Sequence, residues 1–532
     1  MNGQMNLEKS VEKSKFSINQ DMKEDSLGKR YIYKLLASLF GFVIGLATQA
    51  IIPRGLGPTA YGNFNFLTNF FQQIFGFLDM GTSACFYTKL SQRQNDSGLV
   101  SFYLYFSFLI SLVVLAFVAV TQACSIYSRV WPDQNIFYIY LAAIWGILTW
   151  FSGVVFNRMA DAYGLTVSSE IARVGQKIFG LLLILLFFFS NQLNLASLFF
   201  YNYIIMVFLG IAIILIIKRK GYAIMQSLWL SMSKFKEYVN EFYRYSHPLF
   251  VFSVVALIVG ILDRWLLQYF SGSVEQGFYG LSYLIGSACF VFTGAMIPLI
   301  WREFSIAYGQ KDFDQMSHLF KRYVPLLYSI AAILSCFIAI QADKVIHIMG
   351  GHQYSGALWS LIIMAFYPIH QTYGQLSGAV CMAAGQTGLY SKISIVVMLI
   401  GIPVGYFLIA PENRMGLNAG ATGLAIKTVI INIIGVNVQI YFNCRLLKLN
   451  FWHNVCHQIL SVFLFLVLSA CAMLFVDRLL VPQHYILINF LFSGIVYLCM
   501  IMGLLYSKPS LFGLDRKDIS SMIKLVLQKI RK

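Results

Sequence analysis

Apolar stretches about as long as a bilayer core is thick recur along the whole chain, separated by short polar connections. A window of about 20 residues picks out fourteen of them. They lie near 31–52, 64–88, 99–121, 136–157, 165–189, 196–217, 247–270, 277–301, 323–341, 354–383, 388–410, 419–443, 455–476 and 484–506. In hydrocarbon a backbone can satisfy its own polar groups only as a helix or a closed barrel, and runs this long and continuous read as helices. The stretch 354–383 exceeds one crossing and carries Pro368, so a tilt or break is expected there. The first stretch follows some thirty polar residues and reads as a spanning helix, not a signal peptide. The pattern predicts an all-α polytopic membrane protein.

The polar segments divide it. Residues 1–30 form an N-terminal arm, 31–217 an N-lobe (spans 1–6) and 247–443 a C-lobe (spans 7–12). Residues 444–506 add spans 13 and 14. Between the lobes, 218–246 is the longest connection, with six Lys/Arg among aromatics, and predicts an interfacial amphipathic helix. The tail, 507–532, has Leu514, Ile519, Ile523, Val526 and Ile530 near helical spacing among basic residues, which predicts a second surface helix. An internal echo supports the lobes: GLGPTAYGNFNFLTNFF (55–71) and GSVEQGFYGLSYLIGSA (272–288) each carry Tyr-Gly after a polar turn, six spans apart. A repeat that keeps span parity is parallel, with its axis along the membrane normal.

Composition adds orientation. The 532 residues are 58% hydrophobic and 11% charged, which excludes a soluble protein of this size. Of 39 Lys and Arg, thirty lie on the side of both termini, and five (Arg54, Arg129, Lys344, Arg414, Arg478) on the other. That asymmetry predicts a multi-pass protein with both termini cytoplasmic, and it accounts for the net charge of +17 without nucleic acid. The nine cysteines form no CxxC pair and read as small buried residues. His453, Cys456 and His457 share a helix edge but lack a fourth ligand, so no metal is expected; His247 and His370 read as packing residues. No P-loop, GxSxG, HExxH or paired-carboxylate signature is present. No cofactor is expected, and the protein reads as a transporter, not an enzyme.

Three segments carry a family resemblance. RGLGPTAYGNFNFLTNFFQQIFGFLDMGTSACFYTKLS (54–91) resembles the first loop and second span of bacterial polysaccharide repeat-unit flippases, including Asp79-Met80-Gly81. These form the polysaccharide transporter branch of the multidrug/oligosaccharidyl-lipid/polysaccharide exporter superfamily. GHQYSGALWSLIIMAFYPIHQTYGQLSGAVCMAAGQT (351–387) is similar to the family's tenth span, and GLNAGATGLAIKTVI (416–430) to the opening of its twelfth. The resemblance implies two six-helix lobes around a central cavity that opens to either side. It implies an undecaprenyl-diphosphate-linked glycan as cargo, flipped across the bacterial inner membrane for O-antigen, capsule or exopolysaccharide assembly. A proton- or sodium-driven antiport is also implied. Membrane lipids, a polysaccharide polymerase and a chain-length regulator are the expected partners, and a functional monomer is expected. A multidrug exporter, a peptidoglycan-precursor flippase, and a polymerase or ligase are the alternatives; the last would need a larger outward loop than this chain has.

Charges inside the spans are the candidate site. A charge at mid-bilayer costs about 2.5–3.5 kcal/mol on insertion scales, so it faces a cavity or a partner. Glu170, Arg173 and Lys177 share one face of span 5. Arg173 lies ~12 Å and Lys177 ~18 Å into a core of ~30 Å. Either Glu170–Arg173 is a rim ion pair with Lys177 bonded to a neighbouring helix, or the face lines the cavity and meets a diphosphate. Arg264 in span 7 and Lys427 in span 12 are further candidate diphosphate ligands. Asp79, Glu170 and Asp263 are the candidate ion-coupling acids, with Asp79 equally able to bond helix ends.

Overall fold

The computed structural model describes residues 27–222, 231–247, 250–290, 293, 296–479 and 484–516. The N-terminal arm up to residue 26, part of the basic linker (223–230) and most of the expected tail helix lie outside the described residues. Among the described residues the chain is helical and contains no strand.

In chain order the α-helices longer than one turn are α1 (Leu27–Asp79), α2 (Thr82–Gln92), α3 (Ser97–Ala123), α4 (Ile136–Thr149), α5 (Phe156–Ala162), α6 (Thr166–Phe189), α7 (Leu195–Arg219) and α8 (Met232–Ser246). They continue as α9 (Phe250–Ala288), α10 (Ile297–Gly309), α11 (Phe313–Ile340), α12 (Ala342–Met349), α13 (Leu358–Met364) and α14 (Tyr367–Ala383). The last four are α15 (Thr387–Ile409), α16 (Gly420–Leu446), α17 (Phe451–Leu479) and α18 (Ile486–Ser507). Among the described residues, eleven helices are long and apolar enough to cross a membrane. Two of them, α1 and α9, are bent by non-helical glycines at Gly57 and Gly272, so each holds two of the expected stretches. The long stretch containing Pro368 is broken as expected: α13 stops at Met364 and α14 starts again at Tyr367.

Local chemistry sets the ends. Asp96 caps α3 by accepting from the Leu99 amide at 3.1 Å, and Asp312 caps α11 by accepting from Gln315 at 2.8 Å. Asn194 and Ser197 form a reciprocal capping box at the start of α7. Each such cap is worth about 1 kcal/mol. Between α4 and α5 a π-helical turn, Trp150–Val155, inserts an extra residue into the winding.

The chain divides into two compact units. One comprises the described residues to Ile51 and Leu67–Leu257; the other comprises Ile52–Phe66 and the described residues from Ile258. The first packs aromatics around Trp131, with Phe70 and Phe71 against it and Phe86 stacked on Tyr103 at 4.2 Å. The core of the second gathers Phe304, Tyr328, Tyr373, Ile440, Phe465 and Tyr497 from six helices. Polar glue reinforces it: Asn443 on α16 donates to the carbonyl and hydroxyl of Ser377 on α14 at 2.9 and 2.6 Å.

The internal echo is real in the second unit, but its register differs from the sequence reading. The residues with matching conformations are Gly57 (φ 76°, ψ 168°) and Gly272 (φ 80°, ψ −173°). Five residues beyond each stands another glycine, and the two face each other. A Cβ on Gly62 would lie 1.8 Å from the Ser273 carbonyl oxygen, and one on Gly277 would lie 2.2 Å from the Pro58 carbonyl oxygen. The crossing is reciprocal, so GPTAYG (57–62) and GSVEQG (272–277) are the equivalent segments. The shared Tyr-Gly dipeptides are three residues out of step. Identity of letters misled where backbone geometry decides: positive φ is open to glycine, and only glycine admits this close an approach.

Candidate functional site

Each intramembrane charge can be followed to its surroundings. On α6, Arg173 Nη1 lies 3.1 Å from Glu170 Oε1, an ion pair without good hydrogen-bond alignment. Its other nitrogen, Nη2, donates to the carboxamide oxygen of Asn157. Asn157 follows the π-helical turn. One extra residue rotates everything after it by roughly 100°, so the turn sets which face of α5 carries Asn157. Asn157 carried no signal in the sequence for that reason.

Lys177 is different. Its side chain lies across Gly41 of α1, where an added Cβ would stand 2.5 Å from Nζ. Among the described residues it makes no hydrogen bond and no ion pair within 4 Å. Ile171, Ile178, Leu182 and Leu186 form the exposed apolar face of α6, and the charged stripe is turned roughly 130–140° away from it. Lys177 is exposed without pointing where the lipid-facing residues point. Glu170 is buried, so the stripe holds two cations and one acid and keeps one positive charge in surplus.

The second unit treats its charges otherwise. Lys427 Nζ on α16 meets Asp263 Oδ2 on α9 at 2.5 Å. The lysine reaches the acid across α15, where Gly401 leaves room: a Cβ there would be 2.9 Å from Lys427 Cε. Arg264 is buried, donates from Nη1 to Gln276 Oε1 at 3.2 Å, and lies 4.3 Å over the Tyr279 ring. Gln276 in turn donates to the Arg264 carbonyl across the Gly272 bend. Asp263 and Arg264, adjacent in sequence, thus take separate partners. Lys427 and Asp263, read separately as a diphosphate ligand and a coupling acid, are one pair.

Asp79 stands at a helix break. Met80 and Gly81 both have positive φ, and the carboxylate accepts from Thr82 Oγ1 (2.9 Å), Ser83 N (2.7 Å) and Ser83 Oγ (2.7 Å). It caps α2. Glu275, absent from the sequence candidates, does the same for α16: its Oε2 accepts from Ala421 N at 2.7 Å over the bare backbone of Gly420. That contact explains the glycine in GLNAGATGLAIK.

One cluster was missed by the sequence reading, which counted Lys344 only as a charge in an outward connection. The structure buries it: Nζ donates to Asp477 Oδ1 at 3.1 Å and to Asn489 Oδ1 at 2.8 Å, and Asn489 donates to Asp477 at 2.8 Å. The cluster ties α12 to α17 and α18 beside a cavity of about 330 Å³. His457 Nε2 lies 2.7 Å from the Leu511 carbonyl, and no cluster of metal-ligating side chains occurs among the described residues.

The comparisons now bear on this arrangement. Comparison with curated proteins finds no match. Among solved structures, the lipid II flippase MurJ in an inward closed conformation aligns with a TM-score of 0.64 at 14% identity, over 90% of this chain and 99% of that one. An inward-facing multidrug resistance MATE family transporter of the MOP superfamily aligns at 0.61 and 14%, over 79% of this chain and 99% of that one. A MOP superfamily transporter from Pyrococcus furiosus, described as having a binding pocket of reversed polarity, aligns at 0.52 and 16%, over 79% and 96%. At such identities the likeness is one of fold. In sequence, residues 27–302 match the polysaccharide biosynthesis protein family, more than half of the chain. This chain is a multi-pass membrane protein of the MOP transporter fold and belongs to the polysaccharide biosynthesis protein family.

Proposed function

We propose that this protein flips undecaprenyl-diphosphate-linked oligosaccharide repeat units across the bacterial inner membrane, with both termini in the cytoplasm, without acting on a covalent bond. The observation that carries the reading is the α6 stripe. Arg173 and Lys177 outnumber Glu170 there, and Lys177 has no ion-pair partner among the described residues. An anionic cargo fits that surplus. Guanidinium offers a bidentate fork to a phosphate, and ammonium a mobile point charge. Asn157 holds the fork in place. Glu170 gives Arg173 a resident partner once the cargo has left, which weakens the grip on the diphosphate and favours its release. The family supplies the polysaccharide context, and one fold relative is itself described as a lipid II flippase.

The test is export. In cells lacking the native copy, Lys177→Ala and Arg173→Ala are expected to lower surface polysaccharide while immunoblots show unchanged protein. Lys177→Arg is expected to retain most of it. Normal export by both alanine variants would remove the α6 stripe from the cargo's path.

A further inference from the structure

Helix α8 has two apolar surfaces, and only one is covered. Tyr238, Phe242 and Ser246 are buried. Phe242 packs against Phe102 and Tyr103 of α3 with ring centroids 5.2 and 5.8 Å apart. Tyr238 donates its hydroxyl to Asp96 at 2.8 Å. Glu241 accepts from Arg93 at 2.7 Å and from Lys89 at 3.3 Å. Burial works against the Glu241 carboxylate, but the Arg93 and Lys89 contacts overrule it and hold its pKa below the usual value. The helix is therefore clasped onto the connection between α2 and α3.

Next to that buried face, Met232, Val239 and Tyr243 are exposed, and Phe235 is half exposed with its ring against Phe102, centroids 5.6 Å apart. Together the two surfaces make an apolar sector of roughly 140°, of which the protein covers about half. Phe235, Val239 and Tyr243 line a shallow groove of about 260 Å³ with Lys236 and Asn240. Lys234, Lys236 and Arg244 are exposed on the same helix, with Glu237 as the one exposed acid there. The apolar phase within reach is the membrane, since α8 lies between two spanning helices, α7 ending at Arg219 and α9 beginning at Phe250.

We propose that the uncovered half of α8 enters the headgroup–acyl boundary, where Lys236 at its edge and Arg244 further round the polar face bind anionic phospholipid, so that α8 is a lipid-held clamp on the α2–α3 connection. Charge complementarity selects the lipid. A cation near an anionic membrane surface strengthens binding about fivefold, and the groove gives the adjoining side chains an apolar seat. The assignment stands whether or not the cargo is a lipid diphosphate.

Full-length protein in phosphatidylcholine nanodiscs, titrated with increasing phosphatidylglycerol, provides the test by hydrogen exchange of residues 232–246. Exchange is expected to slow as phosphatidylglycerol rises, and the midpoint to shift about fivefold for each of Lys236→Ser and Arg244→Ser but not for Lys234→Ser, which lies roughly 160° round the helix from the uncovered face. Val239→Ser/Tyr243→Ser, which leaves the buried face intact, is expected to lose protection while the global unfolding temperature holds. Equal exchange at every phosphatidylglycerol content would overturn the proposal. So would protection that instead tracks protein concentration in detergent, which would identify a second copy as the occupant.

Discussion

Gly62→Ala is expected to destabilise the protein, and the structure sets the size. The new Cβ would stand 1.8 Å from the Ser273 carbonyl oxygen and 2.8 Å from the Gly277 nitrogen, whereas ordinary contact begins near 3.4 Å. Both obstacles are backbone, so no side-chain rotation relieves them; the two segments must part by about an ångström or more. Parting forfeits dispersion along the crossing and strains the hydrogen bond from Ser273 to Asn63. Overpacking of this kind costs about 1–3 kcal/mol, and a backbone obstacle places it at the upper end. Alanine's better helix propensity returns up to about 1 kcal/mol, leaving a net loss of about 1–2 kcal/mol. Unfolding in detergent can be followed with a thiol-reactive dye, since Cys85, Cys289, Cys336, Cys381 and Cys444 are free and buried. Gly45→Ala and Gly76→Ala are the controls, because an added methyl meets nothing within 4 Å at either position. Gly277→Ala should lose a similar amount, and the double variant less than the two losses combined, because one separation accommodates both methyl groups. A Gly62→Ala midpoint at or above the controls would refute the reciprocal crossing.

Other consequences can be checked on the same protein. Lys344→Met leaves Asp477 buried without its cation and should cost about 3–5 kcal/mol, whereas Lys344→Met with Asp477→Leu should recover most of that in the same unfolding assay. Asp263→Asn and Lys427→Met should each destabilise more than the two together, and Gly401→Ala, which crowds Lys427 Cε, should resemble a mild form of Lys427→Met. His347 has its pKa lowered by partial burial, then by His352 and Arg54. The unfolded chain therefore takes up a proton there first, so the contribution is present above the usual histidine value of about 6.5 and fades as pH falls below it. Arg54 donates to the His347 carbonyl at 2.6 Å and Gln353 to the Arg54 carbonyl at 2.9 Å. Protection of the amides in residues 52–66, taken as the unstructured rate over the observed rate at each pH, should accordingly fall between about pH 7 and pH 5, and unchanged protection would contradict the assignment.

The spans were legible because the bilayer imposes a length and a composition that any twenty-residue window can read. The bends were not, since a glycine with positive φ is spelled like any other. Hence α1 and α9 each run through a turn that the sequence reading treated as a connection. That the charges fall on apolar helices was legible, but partnership was not. Lys427 and Asp263 lie 164 residues apart, and Lys344 and Asp477 lie 133 apart, so neither pair leaves a periodic trace. Glu170 and Arg173 were legible because one helical turn joins them.

That difference is what isolates Lys177. Four cations within spans could each have served a diphosphate on the sequence alone. Three have resident partners: Arg264 has Gln276 and the Tyr279 ring, Lys427 has Asp263, and Arg173 has Glu170 and Asn157. Lys177 instead lies over the bare backbone of Gly41, with no carboxylate within 4 Å among the described residues. An ammonium at mid-bilayer carries an insertion cost of about 2.5–3.5 kcal/mol, and Glu170, which acts on Lys177 only beyond ion-pair distance, is already paired with Arg173. On the proposed flippase reading the counter-charge arrives with the cargo, and an anion is the cargo that supplies one.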